Sequence, residues 1–133
     1  MTGNKILLDT NIVIELFKGN TYILSRLGNR QLVDIPHVVL GELLLGAYRS
    51  SNTPKHIAQI RDFMKRCNIL SADVATADVY AQTKADLLKK GKPIPENDIW
   101  IAATALQHNL TLVTTDKHFQ EVEGLVTGNW NSD

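Results

Sequence analysis

Gly91-Lys92-Pro93-Ile94-Pro95-Glu96-Asn97-Asp98-Ile99-Trp100-Ile101-Ala102-Ala103-Thr104-Ala105-Leu106-Gln107-His108-Asn109-Leu110-Thr111-Leu112-Val113-Thr114-Thr115-Asp116 is the stretch on which the fold turns. Two prolines lead into an apolar helical run, Ile99–His108, and Leu110–Thr114 then reads as a strand. An acid opens the helix and another follows the strand. Working outward, the same alternation recurs. Lys5–Leu8 reads as a strand and Asn11–Lys18 as a helix stopped near Gly19, with a second helix over Thr21–Leu27. Leu32–Ile35 is a strand ended by Pro36, and Val38–Tyr48 an apolar helix. Ile57, Ile60, Met64 and Cys67 give Pro54–Cys67 a helical period, and Asn68–Leu70 is a brief strand. In Asp73–Lys90, Val74, Ala77, Ala81, Ala85 and Leu88 share one face, expected to be buried, and Gly91 takes the C′ position. Leu125–Thr127 reads as a last strand. Strands separated by helices imply parallel pairing and a sheet covered on both faces. The expected fold is therefore α/β: a three-layer α/β/α sandwich on a short parallel sheet of four to five strands. Such sheets bind ligands outside the carboxyl ends of their strands.

Composition sets the bounds. The chain has 133 residues, 44% hydrophobic and 21% charged, which suits one globular domain over residues 1–133 and excludes intrinsic disorder. Its longest near-unbroken apolar stretch, Ile99–Leu106, is far too short to span a bilayer. Met1–Asn11 lacks an apolar leader core, and Cys67 has no second cysteine to pair with, so the cytoplasm is the expected compartment. The formal net charge is zero, from 14 basic and 14 acidic residues. The distribution is uneven: residues 1–48 balance, residues 49–92 carry a net +5, and residues 93–133 a net −5.

Four acids stand out by position. Asp9 follows the apolar strand directly, and Asp116 follows its strand by two threonines. Asp98 opens the helix Ile99–His108. Glu42 has Val38, Val39 and Leu45 as helical neighbours, so its charge needs a partner or a cation. Each acid also has a local reading. Asp9 and Asp116 suit helix caps, Asp98 suits the helix dipole, and Glu42 can tilt outward or pair with Arg49. Together, a doubly wound sheet brings all four to one edge. Clustered carboxylates repel unless divalent cations neutralise them, and hard oxygen donors favour Mg²⁺ or Mn²⁺.

Leu7-Leu8-Asp9-Thr10-Asn11, Gly41-Glu42-Leu43-Leu44-Leu45-Gly46, the Gly91–Asp116 stretch and the closing Gly128-Asn129-Trp130 together resemble a PIN-domain ribonuclease. The likeness is greatest to VapC-type toxins of prokaryotic toxin–antitoxin pairs. It covers nearly the whole chain, in order. The resemblance implies a metal-dependent endoribonuclease, homodimeric or in a larger toxin–antitoxin assembly, with a VapB-like antitoxin whose C-terminal segment enters the acidic groove. It maps the metal-ligating and catalytic acids onto Asp9, Glu42, Asp98 and Asp116. Asp9, Asp98 and Asp116 are expected to hold the principal Mg²⁺ or Mn²⁺. Glu42 completes the set, holding a second ion or orienting the attacking water. Thr10 and Thr115 supply orienting hydroxyls, and Asn11 a helix-start or acid-orienting amide. Lys89, Lys90 and Lys92 are the candidates for gripping the RNA backbone, ahead of Lys55, Arg61, Lys65 and Arg66.

Other readings share some of these features. A structure-specific DNA or flap nuclease uses the same acid logic. A Mg²⁺-binding receiver domain needs an acidic pair after the first strand, and Leu8 is followed by one acid. A haloacid-type phosphatase needs an aspartate where Asn11 stands. His37, His56, His108 and His118 show no metal-ligand spacing and read as surface or capping residues. Cys67, Trp100 and Trp130 read as packing residues. Gly41 and Gly46 each cost a helix about 1 kcal/mol, which predicts close approach of another backbone near Glu42. The Tyr22–Leu27 and Val38–Tyr48 helices are the expected dimer face. With the four acids set aside, 14 basic residues face ten acidic ones, so zero net charge does not argue against an RNA substrate.

Overall fold

The computed structural model describes residues 5–28 and 32–130, so the N-terminal reading at Met1–Asn4 lies outside them. The chain runs β1 (Ile6–Leu8), α1 (Thr10–Phe17), α2 (Thr21–Leu27), β2 (Val33–Pro36), α3 (His37–Tyr48), α4 (Thr53–Met64), β3 (Cys67–Leu70), α5 (Val74–Lys89), α6 (Glu96–His108), β4 (Thr111–Val113), a 3-10 turn (Lys117–Glu121) and β5 (Thr127–Gly128). The five strands form one parallel sheet in the order β3-β2-β1-β4-β5, flanked by helices in the α/β/α arrangement expected. Chain order reverses between β1 and β4, which pair Leu7 with Leu112 and Leu8 with Val113. That reversal is the switch point where a crevice opens in such sheets.

The local chemistry explains the boundaries. β1 is buried along its whole length, which requires cover on both faces. Asn20 caps α2 by accepting from the Tyr22 and Ile23 amides. Asp73 and Thr76 form a reciprocal capping box on α5. Gly91 follows α5 at φ 70°, the left-handed geometry that glycine adopts without strain. Leu7, Leu8, Ile12, Ile35, Ile101 and Leu112, all fully buried, form the centre of the core.

Four expectations need correction. The α5 face bearing Val74, Ala77, Ala81, Ala85 and Leu88 points to solvent, with Val74 88% and Leu88 60% exposed. The buried face carries Thr76, Thr83 and Leu87, with Tyr80 half-buried, packed on α6. Threonine is tolerated there because the Thr76 hydroxyl pairs with Asp73 and Gln107. Helix α4 ends at Met64, and Cys67 begins β3 rather than closing the helical stripe. Burial pushes its thiol up to about 11, so it remains an unreactive thiol near neutral pH. Helix α6 starts at Glu96, because Pro95 already has the extended backbone of an N-cap and Glu96 and Asp98 suit a first turn. Finally, a Cβ on Gly41 or Gly46 would meet nothing within 4 Å, so no backbone approaches there.

Candidate active site

The switch point gathers the four acids. Asp9 sits at the carboxyl end of β1 and is 5% exposed. Its Oδ1 accepts from the Thr10 amide at 2.8 Å, so the capping role is real. Its Oδ2 accepts from the Thr114 hydroxyl at 2.7 Å. Thr114 is itself buried, and its oxygen accepts from the Asp116 amide at 3.0 Å. One hydroxyl therefore ties the acid after β1 to the loop carrying the acid after β4.

Glu42, half-buried on α3, is held from two sides. The Thr10 hydroxyl donates to its Oε1 at 2.6 Å, and Asn97 Nδ2 lies 3.5 Å from its Oε2. Asn97 neighbours Asp98 in the first turn of α6, so α1, α3 and α6 converge on this carboxylate. Asp98 and Asp116 meet on the other side of the crevice. Asp116 Oδ1 accepts from the His118 amide at 2.9 Å, a cap on the 3-10 turn. The His118 ring folds back so that Nδ1 lies 3.1 Å from Asp116 Oδ1 and 3.5 Å from Asp98 Oδ2.

The electrostatics follow from crowding. Burial is the main reason that the Asp98 carboxyl is pushed up to about 6. The charges of Asp9 and Asp116 add to it, His118 opposes them, and Glu42 adds more weakly. Asp9 is also raised, first by burial, against the bonds from Thr114 and Thr10, with Glu42 and Asp116 contributing. Carboxylates that raise one another in this way form a site whose charge a cation relieves. The donor set fits a divalent ion: carboxylate oxygens from four elements, of which Asp98 and Asp116 each place an oxygen within 4.8 Å of the other and of a histidine nitrogen. Asn11 Oδ1, in the first turn of α1, is a buried acceptor without a hydrogen-bond partner among the described residues.

Residues 6–125 match the family model of the PIN domain. The chain belongs to the PIN-domain family. It is 40% identical over 129 residues to Ribonuclease VapC2 of Haemophilus influenzae, covering 95% of this chain and 98% of that one. It is 34% identical to the tRNA(fMet)-specific endonuclease VapC of Shigella flexneri, covering 96% and 98%. Among solved structures, DNA-bound VapBC from Salmonella typhimurium superposes with a TM-score of 0.89 at 29% identity, covering 95% and 98%.

Within this PIN domain the remaining sequence candidates fall in different places. Thr10 lies between two acids. Thr115 is exposed, and the hydroxyl that orients acids in this segment is that of its neighbour Thr114. Lys89 and Lys92 are exposed. Lys90 Nζ is 3.6 Å from Asp86 and donates to the Glu121 carbonyl, clipping α5 to the 3-10 turn. Trp100 stacks on Tyr80 at 3.8 Å, and Trp130 is buried, so both pack. The sequence singles out neither Thr114 nor Asn97, and it reads His118 as a surface or capping residue, which its half-exposed ring bears out. All three lie within two residues of an acid, which is the signal the sequence offers for them. An apolar groove of about 540 Å³ opens beside the site between α1, α3 and α4, lined by Ile14, Phe17, Leu43, Ala47 and Ile60, with Glu42 on its wall. Gly46 lines the same groove, and its missing side chain keeps that wall open.

Proposed function

We propose that this chain is a Mg²⁺- or Mn²⁺-dependent endoribonuclease, the VapC-like toxin of a type II toxin–antitoxin pair, which cuts RNA in the cytoplasm and so inhibits translation and growth. The observation that carries this reading is the convergence of four carboxylates from four elements at the sheet's switch point. Asp9, Asp98 and Asp116 would hold the ion, with Glu42 completing the set. Such an ion supplies a more acidic bound water and charge relief on the phosphoryl oxygens. The protein's own part is positioning. Thr114 fixes Asp9, and Thr10 and Asn97 fix Glu42, whose carboxylate would take a proton from an attacking water. Lys89 and Lys92 supply exposed positive charge for the RNA backbone.

The partners follow from the relatives and the surface. Three of the matched solved structures are VapBC complexes. The apolar groove beside Glu42 suits an antitoxin segment that is apolar along its length and cationic where it meets the acids. Exposed Tyr22, Leu24, Leu45 and Tyr48 support a homodimer through α2 and α3. The whole chain acts as one PIN domain. Brief expression followed by sequencing of RNA ends, against an Asp9→Asn control, tests the function. New ends bearing 5′-phosphates, absent in the control, are expected. An identical end profile in the two strains would overturn the reading, and cleavage of DNA alone would select the flap-nuclease alternative.

A further inference from the structure

His118 is the feature that the acid quartet does not absorb. Its Nδ1 and one oxygen each from Asp98 and Asp116 all lie within 4.8 Å of one another. Donors held up to about 2.4 Å from one ion can lie no farther apart than this. The ring is not free to wander. Phe119, the next residue, is buried in the core at 1% exposure, and the His118 amide is bonded to Asp116. The backbone therefore delivers the imidazole to the open side of the acid pair. Its side chain remains about half exposed, so ring and solvent share the approach to the acids. A nitrogen donor changes the chemistry of the set. All-oxygen sites suit Mg²⁺, whereas imidazole favours transition ions.

We propose that His118 Nδ1 is a ligand of the ion held by Asp98 and Asp116, and that the site consequently prefers Mn²⁺ or Co²⁺ to Mg²⁺. The proposal rests on the metal-binding reading above and adds a ligand and an ion preference to it. Ligation needs the imidazole proton on Nε2, leaving the Nδ1 lone pair for the ion.

Titration of the full, metal-free chain with Mn²⁺ and Mg²⁺ by calorimetry tests this, without RNA and without activity. Electron spin-echo measurements on the Mn²⁺-loaded protein report any bound nitrogen. The wild type should bind Mn²⁺ more tightly than Mg²⁺ and show nitrogen coupling. His118→Ala should lose that coupling and roughly tenfold in Mn²⁺ affinity, with Mg²⁺ affinity changed much less. Matching thermal melts of the two metal-free proteins confirm that the exposed side chain is not structural. If His118→Ala binds both ions as the wild type does, without nitrogen coupling in either, the ligand proposal is wrong while the acid site stands. If His118→Ala binds both ions more tightly, the ring is a competing counter-charge and the proposal is likewise overturned. If the wild type binds neither ion, and Asp98→Asn behaves identically, the metal-binding reading itself has failed.

Discussion

The two sides of the acid site are built differently. On one side Asp9 is buried and both its oxygens accept bonds from protein groups, the Thr10 amide and the Thr114 hydroxyl. Glu42 beside it is held by Thr10 and Asn97. On the other side Asp98 and Asp116 face each other with a half-exposed imidazole, and Asp98 is pushed up to about 6. The first side is fixed before anything binds. The second holds a carboxyl whose charge is disfavoured first by burial and then by the charges of Asp9 and Asp116, a cost that a cation relieves. The lesson is that an acidic site can divide its tasks, one wall setting geometry and the other carrying charge that a bound cation would relieve.

The largest expected effects come from the acids themselves. Asp9→Asn and Asp98→Asn should each lower the cleavage rate by about a thousandfold or more, since each removes a charge the ion requires. Melting curves should separate them. Asp98→Asn removes a charge disfavoured by burial and by its acidic neighbours and should melt at or above the wild type when metal-free at pH 7. Asp9→Asn places an amide among donors and should melt no higher. Equal shifts in the two variants would break the contrast between the walls.

Next in size is Thr114→Val. It strips the hydroxyl shared by Asp9 Oδ2 and the Asp116 amide, leaving a buried acceptor and a half-buried donor unpaired at a cost of about 1–3 kcal/mol. A fall of several degrees in Tm is expected, with activity reduced, and Thr114→Ser should recover both. A neutral Thr114→Val would mean that the first wall is not held as described.

How much of this was legible in the sequence depends on what each reading needed. The acids announced themselves because a charge directly after a buried strand, or amid Val38 and Val39, is costly without a reason. The strand–helix alternation gave the sheet for the same reason: β1 and β4 are too apolar to face water. The α5 face was misread because alanine is too small to mark a core and Thr76 buries its hydroxyl by bonding Gln107. His118 reads correctly as a surface residue, but its contact with Asp98 and Asp116 depends on a 3-10 turn that holds buried Phe119 and leaves no periodic trace. Gly46 misled because an open groove and a close backbone contact both select a missing side chain, and nothing in the structure explains Gly41.

The pH dependence is a smaller effect that sharpens the second wall. Asp98 has a folded pKa above its ordinary value, so its contribution to stability is full below about pH 4 and is lost as pH rises through about 6. The metal-free wild type should therefore lose a few degrees in Tm relative to Asp98→Asn between pH 4.5 and 7.5. Saturating Mn²⁺ should restore the wild type above pH 6 and not the variant. A wild-type-minus-variant difference that stays flat with pH would contradict the crowding described.

Smallest should be the surface charges. Lys92→Glu should weaken RNA binding modestly and shift the salt slope by about one or two units, through loss of a phosphate contact and added repulsion. Lys90→Glu, which breaks the clip to Asp86 and Glu121, should also lower Tm. RNA affinity and salt slope unchanged in both would remove these lysines from the RNA path.

The central claim is that the acid edge cuts RNA through a bound divalent ion. The most direct measurement is end analysis of RNA cut by the purified chain, with Mn²⁺ or Mg²⁺, with EDTA, and with Asp98→Asn under the same conditions. Cleavage that needs the ion, leaves 5′-phosphate and 3′-hydroxyl ends, and vanishes in the variant is the predicted result. Cleavage that persists in EDTA and leaves cyclic phosphates, or full activity in Asp98→Asn, would contradict the account.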